Sequence, residues 1–188
     1  KFCLLGLSSA ALALALSLPC DAAPPVKVKE VAPVADLVTE ADAKIKLIEG
    51  HLENETTFDE VKKDRKLATD AYVLAILAQG VAEHEDASAW KATAADVREA
   101  ARQVGSAKTY DDAKKAFATL KEAHAGKGSG AKVEADWAKV GRLGRTMVEV
   151  SKRQTKLRRA TKKLPEDTSE AARDASVLAV LALTIHAD

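Results

Sequence analysis

The sequence predicts an all-α protein, an antiparallel four-helix bundle followed by a second, incomplete copy of the same helical unit. Three observations predict it. Of 188 residues 38 are Ala and 30% are charged, against 4% aromatic, a set of helix formers without the β-branched and aromatic content of a sheet protein. Apolar residues recur at alternating steps of three and four over long stretches. A segment of the first half returns 104 residues later with eight of eleven positions identical, Ala68–Ala78 against Ala172–Ala182.

The N-terminus is read as a targeting segment. Leu4 to Leu18 is an almost unbroken apolar run ending at Pro19, the length of a signal-peptide core and short for a membrane span. Residues 1–22 are expected to be a signal peptide cleaved after Ala22, with an initiator Met and a few residues before Lys1, and the mature chain to be periplasmic or secreted. Lipoprotein anchoring through Cys20 is disfavoured by the Ser17-Leu18-Pro19 that precedes it. Cleavage removes Cys3 and Cys20 together, so the mature chain carries no thiol. Residues 23–33 hold three prolines and no helical period, and read as an extended tether.

The four-helix bundle is expected over residues 34–125. Val34, Val38, Ala41, Ile45, Ile48 and Leu52 form one stripe of a first helix that ends near Asn54. Thr57, answered by Glu60 three residues on, has the pattern of a capped start, so a second helix runs from there to about Glu85. Its stripe is Leu67, Leu74, Leu77 and Val81, and Tyr72 to Ala82 is apolar nearly all round, as in a centrally placed helix. A third helix runs from about Ser88 to Gly105 with Trp90, Ala94, Val97, Ala101 and Val104 on one side. The fourth starts at Thr109, whose hydroxyl can cap, with Asp111 and Asp112 in the first turn where the dipole favours them. Ala113, Phe117, Leu120 and His124 share its stripe.

Residues 126–131, beginning Gly-Lys-Gly-Ser-Gly, read as a flexible linker. Residues 132–188 are then the first two helices of the second copy. Val140, Leu143, Met147, Val150, Leu157 and Leu164 form the stripe of one helix, with Gln154 and Thr161 in its gaps, and the repeated segment forms the other. Two further helices are expected beyond Asp188, and without them the second copy presents an apolar surface in want of a partner.

Charge is segregated along the chain despite a net charge of +1. Asp36 to Asp86 holds thirteen acids and six bases, whereas Lys132 to Lys163 holds eleven bases and three acids. Arg142, Arg145, Lys152, Arg153, Lys156, Arg159 and Lys163 fall largely on the side of their helix opposite its apolar stripe. They form a candidate surface for an acidic protein partner, for anionic headgroups or for the acidic first copy of the bundle. The overall balance and the lack of interleaved aromatics argue against nucleic acid. His-x-Asp occurs at His84 and His186, but residues two apart point about 200° apart on a helix and cannot chelate one ion. His51 reads as a solvated helix tip. The chain has no His-Glu-x-x-His, no phosphate loop and no nucleophile elbow, so no enzyme is expected.

Ala116 to His124, ending the fourth helix of an exported bundle, resembles the haem-attachment end of cytochrome c′, whose last helix carries Cys-x-x-Cys-His. The resemblance covers Ala35 to Ala125 as architecture. It places Leu120 and Ala123 where the two cysteines belong and His124 where the axial histidine belongs. Covalent haem on this copy is excluded by the missing thiols; the resemblance implies either haem held non-covalently by His124, as in the similar cytochrome b562 bundles, or a Cys-x-x-Cys-His in the two helices expected beyond Asp188. Two functions follow as expectations: a haem-type electron carrier or small-ligand binder, or a haem-free interaction and scaffold module.

Overall fold

One long apolar helix organises the molecule, and the others lie around it. The structure is a computed structural model that describes residues 26–162 and 167–186; the expected signal peptide, Lys163, Leu164 and the last two residues lie outside the described residues. Among the described residues the chain is all-helical, with no strand: α1 Val28–Val31, α2 Val34–His51, α3 Glu55–Lys63, α4 Lys66–Glu83, α5 Ala94–Ser106, α6 Tyr110–His124, α7 Trp137–Val140, α8 Leu143–Lys162 and α9 Ser169–His186.

Every side chain of α4 from Ala71 to Ala82 is buried, because neighbours surround it on all sides. On one side lies α5, which carries α6 on its other flank, alongside it lies α2, and on the other side lie α8 and α9. The contacts fix the directions. Leu37 of α2 meets Gly80 of α4 while Lys44 meets Asp70, so α2 and α4 run antiparallel. Arg98 meets Gln79 while Gly105 meets Ala71, so α5 runs antiparallel to α4. Glu49 pairs with Lys121 and Asp42 with His124, both at 2.8 Å, which sets α6 antiparallel to α2. Arg153 meets Asp174 and Lys156 meets Glu170, so α8 and α9 are antiparallel as well. Burying the aliphatic side chains of α4 at about 1.5–3 kcal/mol each is the largest favourable contribution one element makes.

Several boundaries differ from expectation, each for a local reason. The predicted second helix is two helices: Arg65 takes a left-handed conformation, φ 59°, and turns the chain between α3 and α4. The cap of α3 is Asn54, whose Oδ1 accepts the Thr57 N–H at 2.9 Å, one turn before the expected site. Thr109 caps α6 as expected, its hydroxyl accepting the Asp112 N–H at 3.1 Å. The third helix starts at Ala94 rather than Ser88, because residues 84–90 cross from α4 as a loop and Lys91–Thr93 form a 3₁₀ turn. The expected tether contains α1, and Val28 and Ala32 are buried against the end of α4 and α9. His84 holds them: its Nε2 donates to the Ala32 carbonyl at 3.1 Å while its Nδ1 accepts the Asp86 N–H at 3.0 Å.

The glycine-rich segment is anchored rather than free. Asp96 Oδ1 accepts from the Ser129 N–H at 2.9 Å, the Ser129 hydroxyl at 2.6 Å and the Ala131 N–H at 3.1 Å. Burial pushes the Asp96 carboxyl up, and these donors outweigh it, so its pKa lies below the ordinary range. Gly128 sits so close to Asp96 and Thr93 that a Cβ would clash. Arg98 donates to the carbonyls of Lys132 and Val133 at 2.8 and 3.0 Å. We therefore expect Asp96→Ala to lower stability by about 1–3 kcal/mol and to speed amide exchange at Ser129 and Ala131 while leaving α6 protected. Unchanged exchange at those two amides would contradict the anchoring.

Candidate functional site

His124 occupies the last turn of α6, where its ring reaches past the helix end toward α2. Ala113, Phe117 and Leu120 of the expected stripe are buried, whereas His124 at its end is not, and Ala123, outside that stripe, is buried too. The imidazole is about one-third exposed. Its Nε2 lies 2.8 Å from Asp42 Oδ1, and its ring packs at 51° against the buried indole of Trp90, centroids 5.5 Å apart. Thr93 completes the corner by donating its hydroxyl to the Ala123 carbonyl at 2.6 Å.

This corner does not fit a haem. The nitrogen that would ligate iron faces a carboxylate, and the interior behind the ring is filled by Leu120, Ala123, Trp90 and Ala94, all at most 3% exposed. Met147, the one methionine, is on α8 and half exposed. Among the described residues no set of His, Cys, Asp and Glu side chains gathers to hold a metal ion, and no helix is long and apolar enough to cross a membrane.

The basic residues of α8 do not share one surface. Arg153 is 4% exposed and points inward, which corrects its expected place on a solvated face. Its guanidinium contacts Glu149 on its own helix, Asp174 on α9 and Glu40 on α2. Lys156 bridges Glu170 at 2.8 Å and Asp174 at 3.2 Å. Arg142 lies 5.2 Å above the Tyr72 ring and, with Arg145, lines a small cavity at the end of α4. Lys152 and Arg159 are exposed, and Lys163 lies outside the described residues.

The strongest electrostatic feature is therefore one that sequence reasoning missed, a buried charge network where α2 and α4 meet α8 and α9. Lys44, 2% exposed, pairs with Asp70 of α4 at 2.6 Å and with Glu149 of α8 at 3.2 Å. The arrangement is reciprocal. Glu40 and Lys44 lie one turn apart on α2, as Glu149 and Arg153 do on α8, and each glutamate reaches the other helix's cation. Asp70 and Asp174, 104 residues apart, each hold the cation of the neighbouring helix. His51 adds Nε2 to Asp70 Oδ2 at 3.0 Å, so it is part of this network rather than a solvated tip.

Burial raises the carboxyl of Asp70, and His51 and Lys44 more than offset it. Burial raises Glu149 too, but Lys44 and Arg153 hold it below the ordinary range. Burial lowers Arg153, and Glu40 and Glu149 raise it further than that. The one signal in the sequence is a Glu-x-x-x-Lys at Glu40 and Lys44 and a Glu-x-x-x-Arg at Glu149 and Arg153. Compared with known protein families, curated proteins and solved structures, the chain finds no match in any of the three.

Removing one member leaves buried charge uncompensated, so Arg153→Met is expected to cost about 3–5 kcal/mol in denaturant unfolding. A loss below about 1 kcal/mol, the value of an exposed pair, would contradict the burial. Asp70 and Glu149 have native pKa values below their unfolded values of about 3.9 and 4.3. The stability they add is complete above about pH 5 and is lost as pH falls through the depressed native values. The stability difference between the parent chain and Asp70→Asn is expected to be constant above about pH 5 and to shrink below about pH 4, measured by denaturant unfolding between pH 7 and 3.

Proposed function

We propose that this chain is an exported, haem-free helical module for interaction and scaffolding, without catalytic activity. In this reading α2, α4, α5 and α6 are a four-helix bundle, α7 to α9 duplicate α1, α2 and α4, and the likeness to cytochrome c′ extends to helical architecture alone. Export rests on the apolar run Leu4 to Leu18 and its small-residue cleavage site.

The observation that carries the haem-free reading is the corner at His124. A histidine whose Nε2 meets a carboxylate and whose ring rests on a buried tryptophan is committed to joining α6 to α2. Leu120 and Ala123 are core residues in the places where thioether cysteines would stand. Lys44, Glu149, Arg153 and Asp174 of the interior pair within one network that joins helices. The duplication is supported by the reciprocal contacts of Glu40, Lys44, Glu149 and Arg153 together with the repeated sequence around Asp70 and Asp174.

Haemin titration of the purified mature chain tests the reading. The expected result is no Soret band beyond that of free haemin, together with a loss of less than about 1 kcal/mol in His124→Ala, the scale of a partly exposed ion pair. A stoichiometric Soret band that His124→Ala abolishes would overturn it.

A further inference from the structure

Where α3 turns into α4, the end of α5 and the start of α8 enclose a cavity of about 180 Å³. Its floor is apolar and closed. Leu67, Tyr72 and Val104 are at most 5% exposed, and the Tyr72 ring lies against Gly105, where a Cβ would stand 3.1 Å from it. Its walls carry Lys62, Arg65, Arg142 and Arg145, and no carboxylate. Four cations from two separate stretches of chain thus share one concavity. A cleft lined by charge of one sign over low-dielectric walls focuses the field and concentrates the opposite ion there.

The arginines have donors to spare. Among the described residues the guanidinium groups of Arg65, Arg142 and Arg145 meet no carboxylate and no other acceptor, whereas Arg98, Arg102 and Arg153 each meet a carboxylate. Arg142 lies over the Tyr72 ring, 5.2 Å from its centre. A cation held over a ring is positioned by it and keeps its N–H groups for another partner. The hydroxyl of Tyr72 likewise has no hydrogen-bond partner among the described residues, although the residue is buried and lines the cavity. Lys62 donates to the Lys108 carbonyl and lies 5.3 Å from the Phe58 ring centre, so it contributes charge more than donors. Helix α8 begins at the same wall. The Arg142 carbonyl accepts the Arg145 and Thr146 N–H groups at 2.7 and 3.0 Å, which sets the positive end of a 20-residue helix beside the guanidiniums.

Size and donor count select the anion. Drug-sized ligands occupy about 300–1,000 Å³, so this cavity takes one small group. Three guanidinium forks offer more N–H donors than one carboxylate accepts, and the cations outnumber its single charge. A phosphate group supplies about two negative charges and three strong acceptor oxygens, in the geometry that guanidinium forks match bidentately. We propose that this cavity binds a phosphate group, held by the Arg65, Arg142 and Arg145 guanidiniums, with the Tyr72 hydroxyl donating from the floor and Lys62 adding charge. Inorganic phosphate and the phosphomonoester head of an anionic lipid share this chemistry. The site has no residue in common with the His124 corner, so it stands apart from the haem question.

The purified chain is titrated with inorganic phosphate by calorimetry at about pH 8, where the anion is divalent, and with acetate as the monovalent control. One saturable site is expected, with phosphate at least about tenfold tighter than acetate, about 1.4 kcal/mol. Arg142→Gln and Arg145→Gln are each expected to weaken phosphate about tenfold. So is Arg65→Gly, which removes the cation while suiting the left-handed backbone at that position and so keeps the fold. Arg158→Gln, thirteen residues beyond Arg145 on α8 and so about 20 Å away, lies past the screening length and leaves binding within about twofold. Circular dichroism melts check that each variant is folded. Cosedimentation with phosphatidylcholine vesicles, with and without phosphatidic acid, separates the two sources. Retention on the acidic vesicles that inorganic phosphate reverses assigns the group to a lipid head, and calorimetric binding without retention assigns it to free phosphate. Absence of both saturable phosphate binding and phosphate-sensitive retention would overturn the proposal. So would equal affinity for acetate, or a loss with Arg158→Gln as large as with Arg142→Gln.

Discussion

The arrangement of the helices depends on four side chains at one seam: Glu40 and Lys44 on α2, Glu149 and Arg153 on α8. Each helix offers a carboxylate and a cation one turn apart, and antiparallel placement lets each carboxylate reach the opposite cation. Asp70 and Asp174 close the network from α4 and α9. Taking such charges out of water costs several kcal/mol per ion, and only near-complete pairing offsets it. The network thus has one register. An apolar seam could slide by a turn with modest loss, whereas sliding here would separate six partners at once.

That seam also explains the inverted character of α8. Because its inner face is committed to Thr146, Glu149 and Arg153, Leu143, Met147 and Val148 are about half exposed, while Val150 packs against the core from the side. Helix α4 is the opposite case, buried on every side from Ala71 to Ala82 and indifferent to which face a neighbour takes. The molecule is anchored by a helix with no polar face and joined to its second half by a helix with its polarity reversed.

The helical content, the central place of α4, the cap at Thr109 and the inward stripe of Ala113, Phe117 and Leu120 are legible in the sequence, because each follows from local periodicity or from a side chain acting on its own backbone. The rest depends on tertiary partners. Nothing near Arg65 marks a left-handed residue, so the break between α3 and α4 is silent in the pattern. The glycine-rich segment reads as free until Asp96 and Arg98, more than thirty residues earlier, are seen to hold it. Arg153 shares the spacing of a solvated basic face, and only the acids of three other helix positions draw it inside. The spacing of α6 puts His124 at the end of its stripe, but the neighbours Asp42 and Trp90 come from elsewhere in the chain and decide what its ring can do.

A double-mutant cycle across the seam is the decisive measurement. Glu40→Gln, Arg153→Gln and the double variant are compared by equilibrium denaturant unfolding at neutral pH. Groups that share a buried network couple by about 0.5–3 kcal/mol. The expected coupling lies in the upper part of that range, with the double variant distinctly more stable than the sum of the single losses implies. Losses that add to within about 0.5 kcal/mol would show that α2 and α8 do not meet through these charges, and would contradict the joining of the two halves at this seam.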